Sequence, residues 1–121
     1  MERLVVEARG TAATGAAQGI AAVGNSGPIL LVVSVTDADG VPVSGLAATD
    51  FSIDAQVVAP FGSQVEIAAA GAGQHGDYLL RVVPATYQGT QYTWALGRYI
   101  FFLAVTRGVD QGQTVCAVFV Q

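Results

Sequence analysis

Apolar and polar positions alternate with a period of two along much of this chain, as in strands that bury one face. After Pro28, Leu31, Val33 and Val35 share one side while Val32, Ser34 and Thr36 take the other. Phe51, Ile53 and Ala55 alternate with Ser52, Asp54 and Gln56, and Tyr78, Leu80 and Val82 point inward with Arg81 outward. Leu4 to Glu7 and Gln64 to Ala68 supply two further short strands. Turn chemistry separates them: Asp37-Ala-Asp39-Gly40, Gly45-Leu46, Pro60-Phe61-Gly62, the Gly71–Gly76 loop and Pro84. Six to eight short strands at this spacing predict an all-β antiparallel sandwich in one domain. Thr11 to Gly27, rich in Ala, Gly and Thr, reads either as a long loop, as weak edge strands or as a short helix at Thr14 to Val23 that its glycines oppose.

The closing stretch breaks the rule of one polar face. Tyr99, Phe101, Leu103 and Val105 alternate with Ile100, Phe102 and Ala104, and Val115, Ala117 and Phe119 alternate with Cys116, Val118 and Val120. This is a hairpin apolar on both sides, turning through Gly108 to Gly112. Pairing Thr106 with Thr114 puts Val105 opposite Val115, Leu103 opposite Ala117 and Phe101 opposite Phe119 on the face with the larger side chains. The expected core is therefore Tyr78, Leu80, Val82, Tyr99, Phe101, Leu103, Val115 and Phe119. The other face, with Ile100, Phe102, Ala104, Cys116, Val118 and Val120, is then a partner interface that needs a cover. A second copy, a different protein and the chain's own Thr11 to Gly27 are the three possible covers, and self-association is the expectation because two-fold dimers are the commonest closed assembly.

Composition narrows the field. The chain has 121 residues, 12% of them charged, with no Lys and a net charge of −4. Its cations, Arg3, Arg9, Arg81, Arg98 and Arg107, are too scattered for a basic patch, so nucleic acid is not an expected partner. Glu7 and Arg9 interrupt the first apolar run, which does not read as a signal-peptide core. Ile29 to Val33 is far shorter than the ~20 residues that span a bilayer, so no membrane span is expected.

Four local patterns could carry chemistry. Gly71-Ala-Gly-Gln-His-Gly76 spells a dinucleotide fingerprint, but a strand pattern follows where the fingerprint needs a helix N-terminus, so no nucleotide cofactor is expected. Asp37, Asp39, Asp50 and Asp54 crowd together, yet Gly40 directly after Asp39 defeats the EF-hand spacing, and turn formation explains the first two without a metal. Cys116 and His75 are the only residues of their kinds, and a nucleophile pair would rest on them alone, with no supporting motif. Tyr87, Tyr92 and Trp94, interleaved with Gln88, Thr90 and Gln91, either form a stacking platform for a glycan or peptide or have Trp94 plugging one end of the sandwich.

Val33-Ser-Val-Thr-Asp-Ala-Asp-Gly-Val-Pro-Val-Ser-Gly-Leu46, Phe51-Ser-Ile53, Gly76-Asp-Tyr-Leu-Leu-Arg-Val82, Gly97-Arg-Tyr-Ile-Phe-Phe-Leu-Ala-Val105 and Gln113-Thr-Val-Cys-Ala-Val-Phe-Val120 together resemble bacterial immunoglobulin-like domains of the cell-envelope and secreted type. The resemblance covers roughly residues 28 to 121 and implies an immunoglobulin-like sandwich of about seven to eight strands. That architecture hosts many unrelated roles, so function rests on the residues themselves. They point to a non-catalytic protein-binding or assembly module without a cofactor, and secondly to a carbohydrate-binding module built on the aromatic loop.

Overall fold

Strict alternation makes the second strand the spine of the molecule. The computed structural model describes residues 3–10, 29–57, 64–72, 76–91, 93–94 and 97–120, with side chains for all of these but 56–57, 72, 87, 90–91, 97 and 119–120. Ile29, Leu31, Val33 and Val35 are buried on one side of β2 (Ile29–Thr36), and Leu30, Val32, Ser34 and Thr36 are half-buried on the other. β2 pairs antiparallel with β1 (Val5–Gly10) on one flank and β5 (Asp77–Pro84) on the other. β4 (Val65–Ala72) pairs with β5 and completes a four-stranded sheet ordered β1-β2-β5-β4. A bulge between Ile67 and Ala69 adds one residue to β4, so Val65 and Ile67 face the core before it and Ala70 after it.

A second antiparallel sheet holds β3 (Phe51–Val57), β8 (Gly97–Arg107) and β9 (Asp110–Val120) in the order β3-β8-β9. The short strands β6 (Thr86–Tyr87) and β7 (Thr90–Gln91) form a hairpin in the connection from β5 to β8. The protein is thus all-β, with sheets of four and three strands, and a 3-10 turn at Ala48–Asp50 precedes β3. One hydrophobic cluster takes residues from both larger sheets, with Leu31, Val33, Leu80 and Val82 on one side and Tyr99, Phe101, Leu103 and Val105 on the other. β1 lies against β9 and β3 against β4, so the two layers also approach each other along both flanks.

The first flank is stitched before β1 begins. Arg3 makes a parallel bridge to Gln111, and the Leu4 N–H donates to the Gln111 carbonyl at 2.8 Å. Gly112 makes this possible: a Cβ there would collide with the Leu4 backbone carbonyl. The glycine inside β9 therefore marks the close approach of another backbone.

Of the expected core, Tyr78, Leu80, Val82, Tyr99, Phe101 and Leu103 are buried. Val115 is not; it is 55% exposed, while Cys116 and Val118, expected on the outer face, are buried. The cause is the hairpin register. Strands β8 and β9 are joined by only two residues, Gly108 and Val109, and Thr106 stands opposite Gln111 rather than Thr114. Gly108 alone has a positive φ, +62°, at the first central position of this tight turn, and the Arg107–Asp110 ion pair at 3.5 Å closes its base. Relative to the expected pairing β9 is displaced by an odd number of residues, which exchanges its two faces. Phe119 and Val120 end β9, and their side chains lie outside the described ones.

Candidate functional site

The corrected register assembles an apolar patch on the outer face of the three-stranded sheet. Three rows run across β3, β8 and β9: Ser52–Ala104–Gln113, Asp54–Phe102–Val115 and Gln56–Ile100–Ala117. Phe102 is 42% exposed and Val115 55%, Ala117 is exposed, and Ile100 and Ala104 are half-buried. A groove of about 450 Å3 runs beside Phe102 and Val115, with Ser52, Asp54 and Gln113 supplying its polar atoms. Of the expected interface residues, Ile100, Phe102 and Ala104 lie on this face; Cys116 and Val118 belong to the core, and Val120 lies at its end with its side chain outside the described ones. Val115 and Ala117 take their places. The two-residue turn at Gly108 was the signal that locates them.

The opposite outer face has a different character. Across the four-stranded sheet, Glu7, Arg9, Glu66, Asp77 and Arg81 are exposed around Val32 and Leu79. Charges of both signs are interspersed there, as on an ordinary solvated surface. On the three-stranded sheet the charged residues among those described on the outer face are Asp54, on β3, and Arg98, on β8.

The aromatic segment divides. Trp94 is 1% exposed and stands edge-on to Tyr99, with ring centroids 5.0 Å apart and planes at 85°. Its indole is a plug in the core, in the edge-to-face geometry that aromatic quadrupoles favour, and presents no open face for stacking a ligand. Tyr87 lies in β6, paired with Thr90 across the tight Gln88-Gly89 turn, and its side chain is outside the described ones. Tyr92 lies outside the described residues, as do His75 and 11–28.

The remaining patterns are absorbed by backbone geometry. Gly71 belongs to β4, and Gly76, at φ +77°, leads into β5, so the glycine motif joins two antiparallel strands and no helix N-terminus follows it. Gly76 is packed against β2: the Val35 N–H donates to its carbonyl at 3.0 Å, and a Cβ on it would stand 2.7 Å from the Val35 oxygen. The Asp37 carboxylate accepts the N–H groups of Asp39 and Val41, each at 2.9 Å, which sets the turn. Asp50 accepts the Ala47 N–H at 2.8 Å at the start of the 3-10 turn. Among the described residues, no three His, Cys, Asp or Glu side chains gather where they could hold a metal, and no helix is long and apolar enough to cross a membrane. Burial pushes the Cys116 thiol above its ordinary range, the reverse of what activates a nucleophile. Set beside family models, curated proteins and solved structures, the chain matches none of them.

Proposed function

We propose that this chain is an immunoglobulin-like domain acting as a non-catalytic protein-binding or assembly module. Support for the fold reading is the strand order. Lettered along the chain with the small β6–β7 hairpin set aside, β1-β2-β5-β4 and β3-β8-β9 become A-B-E-D and C-F-G, the constant-type immunoglobulin arrangement. Support for the role is the patch of Ile100, Phe102, Val115 and Ala117, on a sheet face where solvated antiparallel sheets carry polar residues. Burying a fully exposed large apolar side chain contributes about 1.5–3 kcal/mol, and Phe102 and Val115, 42% and 55% exposed, retain roughly half of that each for a partner that covers them.

The test compares two exposed-site substitutions on opposite faces, Phe102→Asp and Leu79→Asp. Immobilised chain retains its binding partner, whether a second copy or another protein, with Leu79→Asp and loses it with Phe102→Asp. Equal retention by both variants, each folded by circular dichroism, would remove the patch from the interface and the reading with it.

A further inference from the structure

The charges on the apolar face are arranged in a way that selects its occupant. Asp54 stands in the same row as Phe102, and Arg98 lies four residues from Phe102 on the same side of β8. One strand spacing across and four residues along put the two about 14 Å apart, well beyond ion-pair distance. Both are exposed, and among the described residues neither has an ion-pair partner. The Gln56–Ile100–Ala117 row runs between them. A two-fold axis along that row brings each Arg98 opposite Phe102 of the other copy, one strand spacing from that copy's Asp54 and within reach of a long side chain, and the two apolar centres meet.

We infer that the occupant of this face is a second copy of the same chain, paired face to face about the Gln56–Ile100–Ala117 row, with Arg98 of each copy beside Asp54 of the other. The inference rests on the assembly-module reading and names its partner. One cation and one anion in a single isologous patch are self-complementary, since every contact occurs twice with its members exchanged. The pairing also sets the Phe102 ring over the aliphatic stem of the other copy's Arg98, a contact that aromatic and guanidinium groups favour. Three strands about 4.8 Å apart and about 30 Å long offer roughly 400 Å2 of flat footprint per copy, about half of the roughly 800 Å2 per partner of a standard specific interface, which fits a weak, transient pairing. Such a dimer is reversible and not obligate.

Charge reversal separates this arrangement from any other. Sedimentation velocity of the full chain between 1 and 100 µM shows a reversible dimer. Asp54→Arg and Arg98→Asp each weaken it tenfold or more, because a single reversal sets two like-charged pairs against each other. The double reversal Asp54→Arg/Arg98→Asp restores the dimer. Both positions are exposed, so the melting temperatures of all three variants stay close to that of the parent, which checks that each is folded. A dimer indifferent to the single reversals, or one not restored by the double, overturns the arrangement. A wild-type monomer at 100 µM also overturns it; if Phe102→Asp still abolishes retention of a different protein, that protein covers the face and the assembly reading stands without self-pairing. A monomer whose retained partner ignores Phe102→Asp overturns both.

Discussion

The Tyr78 hydroxyl donates a 2.7 Å hydrogen bond to the carbonyl of Val43, and the same oxygen accepts the N–H of Leu46 at 3.2 Å. Tyr78 is buried at the entry to β5, its ring edge-on to Phe51 at 5.3 Å, so one phenol ties the β2–β3 connection to the core. The backbone groups it satisfies have no easy recourse to water at that depth.

Tyr78→Phe keeps the ring and removes the oxygen. Leaving a buried carbonyl and N–H unpaired costs about 1–3 kcal/mol. Urea unfolding checks this: the midpoint falls with an unchanged slope. An unaltered midpoint would mean that the connection finds other partners.

Gly112→Ala drives a methyl into the Leu4 carbonyl and parts β1 from β9. Overpacking against backbone of this kind costs about 1–3 kcal/mol. Gly71→Ala is the matched control, since the nearest atom to its added Cβ is 3.9 Å away. Thermal denaturation of the pair reads the difference; equal stabilities would show that β1 moves aside freely.

Trp94 emits as a buried indole and resists aqueous quenchers, given its 1% exposure. Trp94→Ala costs about 3–5 kcal/mol, as for other large-to-small aromatic changes in cores. Emission at long wavelength with full acrylamide access would contradict the plug.

Cys116 is protected by its position. In the native protein an aromatic disulfide reagent labels it slowly, and denaturant makes labelling immediate; fast native labelling would contradict its burial. Burial raises the folded-state pKa above the unfolded value, so the thiol's contribution to stability is fully present below the ordinary thiol range. It is lost as pH rises from that range through the raised folded value, because the unfolded chain releases its proton first. Cys116→Ala flattens that part of the stability–pH curve, and an unchanged alkaline slope would assign the effect elsewhere.

The inward residues of β2 and β5 were legible because each strand has neighbours of contrasting polarity, Ser34 and Thr36 in one case and Arg81 in the other. The pairing of β8 with β9 was not. Both faces of both strands are apolar, so a slip of an odd number of residues exchanges one greasy face for another and the pattern does not register it. Gly112 compounded this by reading as the end of a loop, when it lies in a strand for the sake of Leu4, a contact nothing local announces. The extension of β4 to Ala72 escaped for a related reason: Ala68-Ala-Ala-Gly71 has no alternation, and a bulge shifts its inward side. On the outer face, Ile100 and Phe102 were visible as apolar excess, but their companions Val115 and Ala117 depended on the register.

The clasp of Leu4 on Gln111 has a mechanical consequence. The bridge beside it is parallel, so β1 and β9 run the same way where they meet. Tension applied from before Arg3 and from after Val120 draws the two strands past each other lengthwise. The Leu4–Gln111 hydrogen bond and the tight seat of Leu4 over Gly112 then carry the load together, in shear, instead of parting one at a time like a zipper. Resistance to stretching is a matter of unfolding rate more than of equilibrium stability. In this chain it is concentrated in a few residues near the start of β1 and the start of β9.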